Sequence, residues 1–260
     1  MELLTILLSA LLVIVSPVNF AIDTVVESAL RSRLDKVEEL QVRVDNTPNY
    51  QVVQGKVERV RIAGRGVWLT PEIRVDTLDV ETDPISVNLQ RLRQGGRESP
   101  RASLRQPAQA GVSLVLTESD INQALHSPAI EAQLRQFVRR LVRRSTEGYE
   151  FLNSRVEFLD NNRIRFQVDV REGETQPQLV IVESGIGVTA GHSLQLIEPA
   201  ISINGIALPP QVVEGFARGV TNRFNLRTLE EAGITGRLLD LEVSDRELKV
   251  AAFVRVEPSN

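Results

Sequence analysis

In RIRFQVDV (163–170) every second residue is apolar: Ile164, Phe166, Val168 and Val170 alternate with Arg163, Arg165, Gln167 and Asp169. Successive side chains of a strand point to opposite faces, so this pattern builds a sheet with one buried and one wet face. Related segments recur along the chain: QVRVD, QGKVERVRIAGRGVWL, EIRVDTLDVETD, VSLVL, YEFLNSRVEFL, QLVIVESGIGV and SLQLIEPAISI. The C-terminal RLLDLEVSDRELKVAAFVRVE reads as a hairpin meeting at Ser244-Asp245. Asn, Gly and Pro separate these runs, as the NTPN stretch at 46–49 does. In EIRVDTLDVETD, Ile73 and Val75 share one parity and Leu78 and Val80 the other, so a bulge is expected near Asp76 or Thr77.

Helical spacing interrupts the strands three times. Val25, Val26, Ala29, Leu30, Leu34 and Val37 predict an amphipathic helix ending near Leu40. A second helical region spans 117–145, opened by a capping box of Thr117 and Asp120 and strongly amphipathic from 128 onward. A third spans 209–227, starting on prolines and aligning Val212, Phe216, Val220 and Phe224. QGGRESPRASLRQPAQAG, at 94–111, has no apolar period and reads as an exposed loop or linker. The expected fold is α+β: a curved, mainly antiparallel sheet carrying a few long amphipathic helices as one domain over 23–260.

The N-terminus is set apart. Residues 3–22 carry no charged side chain, and twenty such residues as a helix would cover about 30 Å, the hydrocarbon thickness of a bilayer. Three readings stand: an uncleaved anchor, a secretory signal, or the buried first helix of the domain. Under the first two the protein is exported or membrane-associated.

The rest of the composition removes function classes. A net charge of −4 argues against general nucleic-acid binding. The absence of cysteine excludes a disulfide scaffold, a thiol nucleophile and Cys-ligated zinc. His126 and His192 are each isolated, no G-x-S-x-G occurs, and Gly64-Arg65-Gly66 reads as a turn between strands rather than a dinucleotide fingerprint. Asp79, Glu81 and Asp83 share a strand face that suits a hard cation, but a solvated face explains them better. No cofactor, metal or catalytic residue is expected, and no protein partner can be named.

Positive charge is concentrated locally. Arg139, Arg140, Arg143 and Arg144 lie on one side of the second helical region, where they form either a solvated face or a surface for anionic headgroups. With only 4% aromatic residues, the long alternating strands can enclose an ordinary core or an aliphatic groove. The expected lining of such a groove is Phe137, Leu141, Phe216, Val220 and Phe224, from the apolar helix faces.

VESALRSRL (26–34), VRVDNTPNY (42–50), QGKVERVRIAGRGVW (54–68), LVLTESDINQAL (114–125), VEFL with NNRIRF (156–166) and VESGIGVTAGHSLQLIEPAISING (182–205) resemble the LmeA-like phospholipid-binding family, most of all its cyanobacterial members. The resemblance runs from about Phe20 to Glu257. It implies a non-enzymatic phospholipid-binding protein, with lipid transfer as one form of that role, of tubular lipid-binding plan at the cell envelope or an internal membrane. No ligand-contacting residue is carried over by it. The alternative is a membrane-tethered scaffold that binds protein or envelope glycan.

Overall fold

A computed structural model of the chain describes Glu27, Arg31 and residues 34–45, 54–94, 100–142 and 149–259. Its strands are β1 (Lys36–Asp45), β2 (Lys56–Val57), β3 (Arg59–Thr70), β4 (Ile73–Thr82), β5 (Ile85–Ser86), β6 (Ala108–Thr117), β7 (Tyr149–Leu159), β8 (Arg163–Glu172), β9 (Gln178–Thr189), β10 (Ser193–Ile203), β11 (Ile206–Ala207), β12 (Ile234–Val243) and β13 (Glu247–Val256). The helices are α1 (Leu89–Gln94), α2 (Glu118–Leu125), α3 (Pro128–Val142) and α4 (Pro210–Arg223). The first sheet has the order β1-β3-β4-β6-β13-β12, the second β11-β10-β9-β8-β7, and β2 pairs with β5 as a ribbon. All of these pairings are antiparallel. Among the described residues neither sheet closes into a barrel, and the class is α+β.

The second sheet is an up-and-down meander fixed by its turns. Asn161-Asn162, Ala190-Gly191 and Asn204-Gly205 each place two consecutive residues at positive φ. Asn204-Gly205 makes a two-residue hairpin between Ile203 and Ile206, whose twist matches that of the strands, and the other two pairs lie in three-residue connections. Bulges bend the sheet. In β10 the register shifts between Ile197 and Ala200, across Pro199, which has no N–H to give to a ladder. In β7 it shifts between Leu152 and Arg155, where Asn153 lies at positive φ. The buried Ser184 hydroxyl donates to the Ile197 carbonyl at 3.1 Å, satisfying an acceptor at the β10 bulge.

The larger core lies on the first sheet. Val57, Val60, Val67, Val75, Ile85 and Val87 are essentially inaccessible, and complete burial of a side chain of this size is worth about 1.5–3 kcal/mol. Here the structure corrects several expectations. One curved sheet was expected, and two main sheets are present. The helix expected to reach Leu40 gives way to β1 at Lys36, because Lys36–Asp45 pairs along β3 from Trp68 to Arg59. No register shift occurs at Asp76 or Thr77. The β3–β4 register is continuous from Arg61↔Glu81 to Trp68↔Arg74, and the shift comes after Trp68. The buried parity nevertheless switches, in β3 as well as β4, at the level of Gly66, which lies at φ +54 where a Cβ would strike Glu38.

The region expected at 117–145 is two helices. Residues that precede proline avoid the α conformation, so Ser127 breaks the run and caps α3, its hydroxyl accepting from the Ile130 N–H at 3.3 Å. The capping box of Thr117 and Asp120 is present on α2. The third region contracts to Pro210–Arg223 and continues through a 3-10 turn at Leu226–Ala232. Within 94–110, Pro100–Ser103 forms a 3-10 turn, Leu104 and Ala108 are buried, and β6 begins at Ala108.

Hydrogen bonds from side chains and backbone stitch the two sheets together. Asn162, in the β7–β8 turn, accepts from the Val243 N–H of β12 and donates to the carbonyls of Ile186 at 2.7 Å and Leu241 at 3.3 Å. The Leu238 N–H of β12 donates to the Gly191 carbonyl at 2.7 Å. From the other side, Glu118 of α2 accepts from the Phe158 N–H at 2.9 Å. One end of the second sheet, with the turns at 161–162 and 190–191, therefore abuts the first sheet. The other end, with residues 173–177 and the turn at 204–205, is distal.

Candidate functional site

The two faces of the second sheet differ in kind. On the outer face Arg165 bridges Glu157 at 2.9 Å and Glu183 at 3.1 Å, Arg163 reaches Glu183 at 3.4 Å, and Arg171 pairs with Glu150. The hydrogen bonds from Glu157 and then Glu183 outweigh the opposing effect of burial and hold the Arg165 guanidinium above its usual pKa. This face is a charged, wet surface.

The inner face is aliphatic and incompletely covered. Cross-strand register aligns Val156, Phe166, Val182 and Ile201 in one row, and Val168, Val180 and Ile203 in the next. Ile206, paired with Ile203 on the edge strand β11, is 74% exposed and lies outside this surface. Val168 and Ile201 are buried, while Val156, Phe166, Val180, Val182 and Ile203 remain half-buried. At the joint, Phe158, Ile186 and Val243 pack with Leu196, Leu241 and Leu248. Leu248 pairs with Leu116, and the half-buried Leu114 and Val112 follow along β6. A strip of aliphatic surface thus runs from the distal end of the second sheet across the joint and onto the first.

Helix α4 lies along this strip. It packs on β10, it begins just after the Leu208 N–H donates to the Ile201 carbonyl at 2.8 Å, and its C-cap carbonyl, on Phe224, accepts from the Leu194 N–H at 3.2 Å. The helix therefore runs antiparallel to β10, from the distal end to the joint. Val213 and Val220 are buried and Phe216 is half-buried, whereas Val212 is 50% and Phe224 56% exposed. Phe216 and Val220 are thus brought together toward the strip, and Phe224 is not. The signal for the rest of the lining was the strand alternation, which marks Phe166, Val182 and Ile203 as clearly as the helix faces mark Phe216.

Helix α3 touches α2 and α4. Ile130 and Leu134 are half-buried, and no side chain from Pro128 to Gln136 is buried. Phe137, Leu141, Arg139 and Arg140 fall on α3, whose side chains are described only as far as Gln136. Arg143 and Arg144 lie outside the described residues, as do residues 3–22. Among the described residues no helix is long and apolar enough to cross a membrane.

The polar residues that the sequence offered as candidates are occupied structurally. The His192 ring Nδ1 lies 2.8 Å from the Ala190 carbonyl and that of His126 2.6 Å from the Asn122 carbonyl. Asp79 lies 3.9 Å from Arg65, and Glu81 pairs with Arg59 at 3.2 Å and Arg61 at 3.4 Å. Among the described residues no three His, Asp or Glu side chains gather into a metal site. An arrangement of this kind can exclude water from an apolar chain laid on it.

The family described as LmeA-like phospholipid-binding matches residues 18–253, nearly the whole chain. The chain belongs to the LmeA-like phospholipid-binding family. Family membership makes phospholipid the ligand class supported for this LmeA-like chain. Searches of the curated proteins and of the solved structures return no match.

Proposed function

We propose that the protein binds phospholipid non-catalytically, with acyl chain laid on the aliphatic strip between the second sheet and helices α3 and α4, in the manner of tubular lipid-binding proteins. The observation that carries this reading is the contrast between the faces of the second sheet. The outer face is sealed by Arg–Glu pairs, while the inner face leaves Val156, Phe166, Val180, Val182 and Ile203 half-buried in a chain of a phospholipid-binding family. A buried methylene is worth about 0.8 kcal/mol, so about ten methylenes provide roughly 8 kcal/mol before ordering costs. Such a ligand needs no polar constellation beyond a rim for its headgroup.

Residues 3–22 attach the protein to a membrane on the exported side, and Arg139, Arg140, Arg143 and Arg144 add affinity for anionic headgroups. Transfer between membranes follows if the bound lipid can leave as it entered. Titration of a fluorescent phospholipid into the purified protein tests the site. Phe216→Asp places a charge on the strip and is expected to weaken binding at least about tenfold, because the carboxylate is poorly solvated there. Unchanged affinity in a normally folded variant would move the ligand elsewhere.

A further inference from the structure

The distal end of the second sheet exposes large apolar side chains that the proposed site does not use. Ile206 on β11 is 74% exposed, Val212 in the first turn of α4 50%, and Leu179 at the start of β9 38%. Connectivity holds them at one end. The Asn204 N–H donates to the Leu179 carbonyl at 2.8 Å, the Asn204 side chain accepts from the Leu179 N–H at 2.9 Å, and Ile206 pairs with Ile203 across the turn. Isolated exposed aliphatics are ordinary; several on adjoining connections at one extremity mark a contact surface.

We propose that this end docks on the surface of a lipid bilayer and is the portal through which phospholipid enters. The inference rests on the proposed function. Continuity decides the occupant. Ile206 follows Ile203 at the end of the inner-face row Val168–Val180–Ile203, so the exposed patch adjoins the open end of the aliphatic strip. What meets that end must supply acyl chains. The position agrees, because the two-residue turn at 204–205 and the N-terminal turn of α4 stand at the same end of the sheet, with Ile206 and Val212 exposed to solvent. The local charges are not those of an anion-binding surface. Glu172 and Glu174 flank the patch, and Glu214 is offset by Arg218 at 4.0 Å. Docking is therefore apolar, indifferent to salt and effective on zwitterionic vesicles.

The test is uptake of a fluorescent phospholipid by the full-length chain from phosphatidylcholine vesicles, compared with uptake of the same lipid from detergent micelles. The double variant Ile206→Asp/Val212→Asp alters only exposed positions, and an acidic residue in the first turn of α4 suits the helix dipole. It is expected to take lipid from vesicles at least about tenfold more slowly than the wild type, at low and high salt alike, and to reach the same occupancy from micelles. Leu179→Ser, on the opposite face of the same end, provides a second and milder variant expected to slow vesicle uptake in the same way. Equal vesicle uptake by wild type and variants overturns the proposal. Lost occupancy from micelles in a folded variant also overturns it, because the residues would then belong to the ligand site. Loss of a wild-type dimer in sedimentation with vesicle uptake unchanged would assign the patch to a second copy of the chain. A wild type that takes up phospholipid from neither source overturns the proposed function and the portal with it.

Discussion

Asn122 serves Val156 as a strand partner would: its Nδ2 donates to the Val156 carbonyl at 2.8 Å, and its Oδ1 accepts from the Val156 N–H at 2.7 Å. Val156 lies on β7, the last strand of the second sheet, so a helix side chain occupies hydrogen-bonding sites that a further strand would use. An open edge invites pairing with other chains. Here α2 covers that edge and, because it follows β6 directly, fastens the second sheet to the first.

Removing this clamp should loosen the joint. Asn122→Ala leaves a partly buried donor and acceptor without their partner and is expected to cost about 1–3 kcal/mol. Urea unfolding measures the cost, and amide hydrogen exchange at Val156 should accelerate more than exchange within β9. An unchanged midpoint would mean that water replaces the side chain without loss.

The same helix is anchored by a charge cluster. Arg74 donates to Asp120 at 2.9 Å, lies 3.4 Å from both Glu38 and Asp76, and stacks on Trp68 with Lys36 nearby. Burial pulls the Arg74 guanidinium down, but the hydrogen bonds and charges of Asp120 and Glu38 more than offset it and leave its pKa above the usual arginine value. Asp120 is only 7% exposed, so Arg74→Met strands a buried carboxylate and is expected to cost about 3 kcal/mol. Asp120→Asn should cost less, since Arg74 keeps two carboxylates. Chemical denaturation of both variants checks the order, and the reverse order would contradict this account of the cluster.

Membrane attachment should separate into parts in liposome flotation. A chain beginning near Asp23 is expected to lose stable attachment. The remaining binding should contain a salt-sensitive increment on anionic vesicles that disappears with Arg139, Arg140, Arg143 and Arg144, because exposed charges are screened beyond about 8 Å at physiological ionic strength. Truncated protein that floats equally with neutral and anionic vesicles, whatever the salt, would reduce those arginines to a solvated face.

The strands and turns were legible because period two and paired Asn or Gly residues are local signals. Β7, β8 and β10 coincide with segments read directly from YEFLNSRVEFL, RIRFQVDV and SLQLIEPAISI. Strand order was not legible, because alternation identifies a face and not a neighbour, and one sheet looks like two. Val37 and Leu40 fit a helix at spacing three, but pairing of Lys36–Asp45 along β3 overrides that local pattern. Leu104 and Ala108, two of the few apolar residues in a Pro- and Arg-rich stretch, are fixed in the core by contacts far away in sequence.

On α4 the error was geometric. Val212, Phe216, Val220 and Phe224 recur every fourth residue, and each step drifts about 40° around a helix of 3.6 residues per turn. The two ends of that series therefore leave the buried face, while Val213, absent from the series, is buried with Val220.

Mass spectrometry of lipids extracted from the purified, folded protein tests the central claim most directly. The account predicts phospholipid in near-stoichiometric amount with the wild type and little with Phe216→Asp. Wild-type protein free of phospholipid after exposure to membranes, or a folded Phe216→Asp variant carrying as much as the wild type, would contradict the claim that the strip beneath α4 holds the ligand.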